Sequence, residues 1–418
     1  MTATEGIDAL DAAQLAGEVT IDTWSEAPLN RWSFLHLDQV LATTPIRSAR
    51  GWGRRLTTRG DRAILDTLVP RHDGLGRVEE YTAAREVLAD TWTDGFILLK
   101  DGVVLAEEYL GFMEPGDKHL LMSVTKSVVG VLATILADRG VLRPRALVES
   151  VVPELADSGF AGATVRDVLD MRTGVKFSET YHDPDADVYL MEHAVGWRSA
   201  REDVASTMHE FLAGLESDDD HGKRFRYRSS DTNVLGWLCE AATGRSLAEL
   251  LSELVWQPLG ARDDAHITID SAGSAVADGG MSATLRDLAR FAEMLRRNGR
   301  SEGGAQVAPE WFVTDTLLAA EDSKDAFAAT NSPTGMPGGH YRNQVWVPFR
   351  QRSVMLGLGI HGQMVYVNQR AGVTGVKFST WPTAQDPVAF YDTLGAFEAI
   401  ARALAPTSEP PIQRHHRE

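Results

Sequence analysis

The middle of the chain is dominated by apolar residues that recur about every 3.6 positions. This spacing gathers apolar side chains on one face of an α-helix, so it predicts a series of helices separated by polar loops. A long apolar run at 127–136 predicts a buried helix at the start of the series. The other predicted helices cover residues 165–171, 202–215, 233–242, 247–254 and 283–295. We therefore predict a mainly helical region over residues 127–297.

Both ends of this helical region are flanked by the shorter apolar runs that are typical of β-strands. Residues 96–100 and 103–105 enclose Asp101-Gly102, a pair that suits the positive φ of a two-residue hairpin turn. After residue 345, further runs predict strands at 345–347, 355–360, 364–367 and 376–378, and a final amphipathic helix at 387–404.

This order of elements predicts an α/β fold with an all-α insertion. Residues 61–126 and 298–405 are expected to form one α/β domain from both ends of the chain, with the helical domain 127–297 between them. Residues 1–60 show no regular pattern and are expected to pack on the core as an irregular segment. The proline-rich, charged tail 406–418 is predicted to be disordered.

Composition and charge exclude several classes of function. With 43% hydrophobic and 24% charged residues, the 418-residue chain has the composition of an ordinary globular enzyme. A formal net charge of −18 argues against a nucleic-acid partner, because phosphate binding needs a basic face. Residues 1–17 lack the features of a secretory signal, and no apolar stretch reaches the ~20 residues of a membrane helix. We therefore predict a cytoplasmic protein with no membrane partner.

Candidate chemistry is found at Ser123 and Lys126, at the start of the long apolar run. Three residues are almost one helical turn, so both side chains face the same way at a helix N-terminus. A serine hydroxyl is a poor nucleophile until a neighbouring group, here the lysine amine, takes its proton. The free N–H groups of a helix N-terminus also favour an oxyanion nearby. Because the same spacing occurs in solvated helices without a catalytic role, the rest of the chain has to decide.

A second candidate is Tyr227, which precedes small polar residues and a predicted helix. Asp231 or Thr232 is expected to cap that helix. A tyrosine hydroxyl beside a lysine ammonium has its pKa lowered, because the anion is favoured next to a positive charge. It could then pass a proton. Without Ser123 and Lys126, a loop tyrosine packed over a helix end would be the better interpretation.

The glycine-rich run Gly357-Leu358-Gly359 precedes Ile360 and His361 in a predicted strand. Glycine within a strand often marks a close approach of the backbone to a ligand, although a bulge or a bend gives the same pattern. The acidic run 218–220, which ends in His221, could suggest metal ligands. A solvated loop is the preferred interpretation, since no second cluster accompanies it at ligand spacing.

In this order the motifs resemble those of the serine β-lactamase and penicillin-recognising superfamily. Most closely, the chain resembles its 6-aminohexanoate-dimer hydrolases (nylon-oligomer hydrolases) and the related family VIII carboxylesterases. The resemblance implies the β-lactamase fold, an antiparallel sheet flanked by helices with a helical insertion. The resembling stretches are 30–34, 122–127, 171–179, 227–229, 278–280 and 359–363, which together span most of residues 30–380.

The resemblance also implies a set of catalytic roles. Ser123 would be the acylated nucleophile, Lys126 its general base, and Tyr227 the group that passes the proton to the leaving amine or alcohol. The backbone N–H groups of Ser123 and Ile360 would form the oxyanion hole. Tyr181 matches a tyrosine that helps to orient the scissile amide.

The remaining substrate contacts are less defined by the resemblance. His361 could bind substrate, although a lone histidine near a turn is more often structural. Either Asp278 or Glu192 could pair with a substrate ammonium, and the sequence does not decide between them. No metal and no organic cofactor is expected, because the nucleophile and the base are both side chains. The resemblance also makes a homodimer a plausible assembly.

Two departures from the β-lactamase pattern narrow the expected substrate. Gly357-Leu358-Gly359 stands where β-lactamases carry lysine-threonine-glycine, and Ser229 stands where Tyr-x-Asn enzymes carry asparagine. Since the strand lysine recognises the carboxylate of penicillins, its absence favours a hydrolase of small linear amides or esters. The alternatives are a promiscuous carboxylesterase, a weak β-lactamase or D-amino-acid peptidase, and a non-catalytic relative that binds a ligand in the same pocket.

Overall fold

The computed structural model of the protein describes residues 11–49, 55–72, 77–330, 336, 338–349 and 353–405. The predicted disordered tail, residues 406–418, lies outside the described residues, as do the first ten residues of the predicted irregular segment. Within the described part of the chain, no helix is both long enough and apolar enough to cross a membrane.

The described strands fall into three antiparallel sheets. A seven-stranded sheet has the order β5-β4-β13-β12-β11-β10-β9, a four-stranded sheet the order β1-β7-β8-β6, and β2 and β3 form a ribbon. The strands are β1 Thr43–Ile46, β2 Leu68–His72, β3 Val78–Ala83, β4 Thr93–Lys100, β5 Val103–Tyr109, β6 Lys118–Leu120, β7 Ala265–Thr268, β8 Met281–Thr284, β9 His340–Arg342, β10 Val345–Val347, β11 Val354–Gly359, β12 Gln363–Asn368 and β13 Val373–Ser379.

The seven-stranded sheet joins the two ends of the chain. Strand β4 pairs with β13 in the register that places Ile97 opposite Val376. The predicted hairpin is confirmed, since β4 also pairs with β5 across a turn in which Asp101 and Gly102 have φ values of 49° and 83°. Only glycine and a few short polar residues adopt such values readily, which is why this pair permits the tight turn.

Helices pack on both faces of this sheet, so the predicted fold class is confirmed. The α-helices are α1 Ala12–Glu18, α2 Asn30–Ser33, α3 Ala84–Asp90, α4 Val124–Asp138, α5 Val165–Leu169, α6 Asp187–Ala194, α7 Met208–Ala213, α8 Ser229–Thr243, α9 Leu247–Leu251, α10 Gln257–Leu259, α11 Leu285–Arg296, α12 Glu310–Leu318, α13 Glu321–Ala328 and α14 Pro387–Leu404. A π-helical turn, Ser252–Trp256, joins α9 to α10.

The pleat of β4 shows how the sheet separates two cores. Ile97 and Leu99 belong to a core that includes α4, α8 and α11, whereas Phe96 and Leu98 belong to a second core under α14. Successive side chains of a strand point to opposite faces, so a strand buried on both faces is apolar throughout. This explains why residues 96–99 form a continuous apolar run rather than an alternating one.

The range 127–297 contains two short strands besides its helices. β7 and β8 pair with each other, and β1 from the N-terminal part of the chain pairs with β7. At four residues each, these strands are too short to show a period of two in the sequence. The helix predicted at 283–295 begins two residues later, because the Thr284 side chain accepts the N–H of Asp287 as its cap.

The first sixty residues are tied into the core over their described part. Arg31 is buried and forms an ion pair with Asp94 at the start of β4, with 2.9 Å between Nη2 and Oδ1. Trp24 is buried as well and donates its indole N–H to the carbonyl oxygen of Trp197. This segment therefore packs behind Trp197, which lines a cavity next to Ser123.

Candidate active site

Ser123 lies at the N-terminus of α4 and lines the floor of a cavity. The preceding residue, Met122, has a φ of 47°, a left-handed value that is strained for a residue with a side chain. This bend turns the chain from β6 into α4 and leaves the Ser123 side chain half-buried, while the next thirteen residues are buried. The apolar run at 127–136 is thus a core helix, as its sequence predicts.

Lys126 is buried one helical turn beyond Ser123 and makes three hydrogen bonds through its Nζ atom. It donates to Ser123 Oγ at 2.8 Å, to Ser229 Oγ at 3.0 Å and to the carbonyl oxygen of Asp278 at 2.8 Å. An ammonium group has three donors, and these contacts use all of them. The predicted Ser123–Lys126 pair is therefore in direct contact, with the lysine held by two further groups.

Tyr227 faces the same two residues from the loop before α8. Burial raises the pKa of its hydroxyl, and nearby Lys126 and Ser123 offset part of that rise. Lys126 Nζ lies 5.2 Å from the ring centre. The ring stacks on Trp346 at 5.3 Å between centroids and meets the edge of Tyr341 at 6.0 Å. This aromatic packing fixes the ring, and so the three residues predicted to carry the chemistry are brought together.

The charges around Lys126 favour its ammonium form. Burial by itself lowers the pKa of Lys126, but nearby Tyr227, Asp278 and Glu179 outweigh it and raise the pKa above its ordinary value. Burial also raises the pKa of Tyr227, and Lys126 offsets only part of that rise. At rest, therefore, the lysine is charged and the tyrosine is neutral.

Glu179 is a site residue that the sequence argument missed. Its Oε2 accepts the backbone N–H of Ser229 at 2.6 Å, and its Oε1 accepts the hydroxyls of Ser229 and Tyr181 at 3.0 and 2.7 Å. The first turn of α8 is thus capped by a carboxylate from a distant loop, and the caps predicted at Asp231 or Thr232 are wrong. Asp231 lies inside the helix and accepts the hydroxyl of Thr173 instead.

The cap that Glu179 provides has no local signal in the sequence, because Ser229 at the start of α8 is 50 residues away. It stands in the stretch 177–181, from which the family resemblance singles out Tyr181 alone. The useful clue was the absence of a side-chain cap at α8, since Arg228 before the helix offers none. A helix start without a local cap requires an acceptor from elsewhere in the fold.

The two candidate acidic residues differ in their surroundings. Asp278 is buried, with Oδ1 accepting from Asn233 at 2.9 Å and Oδ2 lying 3.6 Å from Lys126 Nζ. Glu192 is half-buried and forms an ion pair with Arg198 at 2.5 Å. Burial raises the pKa of Glu192 to about 7, although Arg198 opposes the rise. Asp278 is therefore a counter-ion of Lys126, whereas Glu192 stands farther along the cavity wall.

The end of β11 lies against the start of α4. A side chain at Gly359 would place its Cβ only 2.7 Å from the carbonyl oxygen of Leu121, so glycine is needed for this approach. This glycine thus permits a close approach between two backbone segments, whereas the approach to a ligand stays a prediction. The contact brings Ile360 beside Ser123, where both line the same cavity.

His361 follows Ile360 but lies away from the cavity. Its side chain is buried, donates its Nδ1–H to the carbonyl oxygen of Trp381 at 2.8 Å, and packs edge-on against Phe34. Burial lowers its pKa to about 4. These contacts replace the predicted substrate contact with a structural role, because the ring holds the turn after β11 to the N-terminal segment.

Ser123 and Ile360 line two openings of very different size. The smaller, of about 30 Å³, is walled by Tyr181, Glu192 and Trp197. The larger is an open groove of about 700 Å³ lined on one side by Tyr227, Trp346 and other aromatic residues. A substrate bound across Ser123 would thus have one end in a narrow, acidic pocket and the other in a wide aromatic groove.

No group of three or more histidine, cysteine, aspartate or glutamate side chains is placed to hold a metal ion among the described residues. The acidic loop considered as a metal site is engaged otherwise: Asp218 and Asp219 pair with Arg226, and His221 Nδ1 accepts the N–H of Gly174.

Comparisons with known proteins agree with this arrangement. A family model described as Beta-lactamase matches residues 85–396. The chain is 37% identical over 367 residues to the 6-aminohexanoate-dimer hydrolase of Paenarthrobacter ureafaciens, a match that covers 88% of this chain and 89% of that protein.

Solved structures share the fold at lower sequence identity. A protein from Bacillus anthracis, provisionally described as a 6-aminohexanoate-dimer hydrolase, matches with a TM-score of 0.84 at 24% identity, over 93% of this chain and 97% of its own. A family VIII carboxylesterase matches with a TM-score of 0.53 at 16% identity, over 73% of this chain and 92% of its own.

Proposed function

Because the chain belongs to the β-lactamase family, we propose that this serine hydrolase cleaves small linear amides or esters through an acyl-enzyme on Ser123. The observation that carries the proposal is the 2.8 Å hydrogen bond between Lys126 Nζ and Ser123 Oγ at the start of a buried helix. A base in contact with a hydroxyl is the arrangement that makes serine a nucleophile.

The proposed acylation step uses three side chains. Lys126 in its neutral form takes the proton of Ser123 while Oγ bonds to the substrate carbonyl carbon. The proton then passes through Tyr227 to the leaving nitrogen or oxygen, the scissile bond breaks, and the acyl group stays on Ser123. In deacylation, a water molecule gives up a proton through Tyr227 and Lys126 and bonds to the acyl carbon. The bond between that carbon and Ser123 Oγ then breaks, Oγ takes the proton back, and the acid leaves.

The oxyanion of the tetrahedral intermediate is assigned to the backbone N–H groups of Ser123 and Ile360. The support is the tight approach of Gly359 to the backbone before α4, which places both residues on the same cavity wall. Fixed N–H donors in a site shielded from water stabilise the developing charge without having to reorganise.

The favoured substrate class is one with a linear amide or ester and a terminal ammonium, as in a 6-aminohexanoate dimer. Glu192 is the better candidate for the ammonium, because the carboxylate of Asp278 is already engaged by Asn233 and Lys126. Tyr181 lines the narrow pocket together with Glu192 and Ser123 and is assigned to orient the scissile amide. The 37% identity to the 6-aminohexanoate-dimer hydrolase of Paenarthrobacter ureafaciens supports this substrate class.

A direct test compares the wild-type protein with Ser123→Ala on four substrates: 6-aminohexanoate dimer, p-nitrophenyl acetate, a D-alanine dipeptide and nitrocefin. We expect turnover of the dimer and the ester, little turnover of nitrocefin, and none by the variant. Intact mass spectrometry after fluorophosphonate treatment should show one adduct, lost in Ser123→Ala. Equal turnover by both proteins would refute the mechanism, and the absence of any adduct would favour a ligand-binding relative.

The panel also separates the alternatives within the fold. Ester cleavage without dimer cleavage would indicate a promiscuous carboxylesterase, and fast nitrocefin cleavage would indicate a β-lactamase. The predicted homodimer and the cytoplasmic location remain predictions, of which the first can be measured by light scattering after size-exclusion chromatography.

A further inference from the structure

The hydrogen bonds around Ser229 have a definite direction. The backbone N–H and the side-chain hydroxyl of Ser229 both point at Glu179, at 2.6 and 3.0 Å. An ionised carboxylate only accepts hydrogen bonds, so the single hydroxyl proton of Ser229 is committed to Glu179. Ser229 Oγ can then face Lys126 only as an acceptor, which agrees with the 3.0 Å bond from Lys126 Nζ.

This direction determines how a neutral Lys126 is oriented. Two of its contacts, Ser229 Oγ and the carbonyl oxygen of Asp278, demand an N–H from the lysine. A neutral amine has two N–H bonds and one lone pair. With both N–H bonds taken, the lone pair lies at the third contact, Ser123 Oγ at 2.8 Å.

Resting on the function proposed above, we propose that Glu179 is a positioning residue that, through Ser229, aims the lone pair of Lys126 at Ser123. Glu179 itself touches neither Ser123 nor the reacting bond in this role. If Ser229 were free to donate its proton to Lys126, the lone pair could turn to Ser229 and be lost to the nucleophile. Glu179 excludes this competing orientation.

The groups that face Glu179 are compatible with a carboxylate at this point. Lys126 approaches through Ser229, Tyr181 donates its hydroxyl at 2.7 Å, and Tyr227 and Asp278 stand farther off. Burial raises the pKa of Glu179, while Lys126 and the hydrogen bonds from Tyr181 and Ser229 favour the ionised form. The hydrogen bonds with Tyr181 and with the N–H and hydroxyl of Ser229 are all accepted by Glu179, as expected of a carboxylate.

Glu179→Gln tests the proposal because the amide has nearly the same shape but carries an N–H donor. The amide can donate to Ser229 Oγ and release the serine proton toward Lys126. General-base catalysis typically contributes about 10²-fold to 10⁴-fold, so partial misorientation should lower the acylation rate by about tenfold to a hundredfold. We expect this loss in kcat for p-nitrophenyl acetate, with KM nearly unchanged.

A double-mutant cycle shows whether the effect passes through Ser229. In the Ser229→Ala background, Glu179→Gln should have little further effect on the pH-independent maximum of kcat, because no hydroxyl remains to be directed. The loss of the Glu179 charge then changes only the pH at which that maximum is reached, through the pKa of Lys126. In the Tyr181→Phe background it should keep its full effect. A loss that persists with Ser229→Ala, or that disappears with Tyr181→Phe, would overturn the proposal.

Two controls separate positioning from folding and from the function itself. Glu240→Gln changes another half-buried carboxylate of the same region, which accepts the N–H of Leu247 at 2.7 Å, and should leave kcat unchanged. If Glu179→Gln does not fold, Ser229→Ala alone must still slow acylation, and a wild-type rate would overturn the proposal. If Ser123→Ala is inactive while Glu179→Gln matches the wild type, only this inference fails and the proposed function stands.

Discussion

At the scale of single residues, Lys126, the proposed general base, lies close to negative charges that favour its protonated form. Lys126 must be neutral to take a proton, yet Asp278 lies 3.6 Å from its Nζ and helps to raise its pKa. The rate should therefore rise with pH until Lys126 loses its proton. Asp278 is thus one of the groups, with Tyr227 and Glu179, that determine where the acidic limb of the pH profile lies.

Asp278→Asn should move that acidic limb to lower pH. A nearby anion stabilises the ammonium, so its removal lowers the pKa of Lys126 and makes the neutral base available at lower pH, by about one unit. The amide oxygen can still accept from Asn233, which keeps the local hydrogen bond. The measurement is kcat/KM for p-nitrophenyl acetate against pH.

Asp270→Asn is a matched control for this prediction. Asp270 is also buried, but its carboxylate accepts backbone N–H groups near Met208 and Ser274 rather than facing Lys126. It should leave the position of the acidic limb unchanged. An unmoved limb in Asp278→Asn would show that Asp278 does not control the lysine.

The sequence predicts part of this site and not the rest for a physical reason. Ser123 and Lys126 share one helical turn, so local spacing alone places them together. The local sequence marks Tyr227 and the glycine-rich run before Ile360 as candidates, but only the family resemblance joins them to Ser123, because the fold alone brings them close. The contact of Glu179 with Ser229 depends on where two distant loops meet, and no local pattern records that distance.

At the scale of elements, the N-terminal segment supports the narrow pocket. Trp24 packs edge-on against Trp197 with 5.3 Å between centroids and donates to its carbonyl oxygen. Trp197 in turn walls the pocket and donates its indole N–H to Thr268 Oγ1 at 3.1 Å. A segment outside the family match at 85–396 therefore shapes the site.

Trp24→Ala should weaken both the fold and substrate binding. Removal of a buried tryptophan side chain typically costs about 3–5 kcal/mol of the free energy of unfolding. The substitution also removes the support of Trp197, so it should raise KM for the 6-aminohexanoate dimer more than it lowers kcat. Urea unfolding and steady-state kinetics measure the two effects.

Trp32→Ala provides the comparison within the same segment. Trp32 is only partly buried and stacks on His36. Its removal should therefore lower the free energy of unfolding by less than Trp24→Ala does, and leave KM unchanged. Equal losses of stability in the two variants, or an unchanged KM in Trp24→Ala, would contradict the role given to Trp24.

Elements with long or distinctive local patterns can be predicted from the sequence, whereas very short strands cannot. The hairpin at Asp101-Gly102 and the buried helix α4 have strong local signals, in turn chemistry and in a long apolar run. Strands β7 and β8 have four residues each and are held by pairing with β1 and β6, which are remote in sequence. Such strands depend on tertiary partners more than on their own pattern.

At the scale of the whole molecule, strands from both ends of the chain pair in the seven-stranded sheet, and the protein has a strongly negative net charge. β4 and β13 are separated by more than 270 residues and still pair along their length. The formal net charge is −18, and Glu179, Glu192 and Asp278 add acidic groups to the site itself. A field of this sign should draw cationic substrates toward the protein.

We therefore expect ionic strength to distinguish two matched esters, p-nitrophenyl 6-aminohexanoate and p-nitrophenyl hexanoate. Salt screens charges beyond about 10 Å at 0.1 M, so kcat/KM for the cationic ester should fall roughly threefold to tenfold between low and high salt. The neutral ester should change little. Glu192→Gln should reduce the preference for the cationic ester at every salt concentration but keep most of the salt dependence, because the remaining charge of the molecule is unchanged. Equal salt dependence for the two esters would show that the net charge does not act on the substrate.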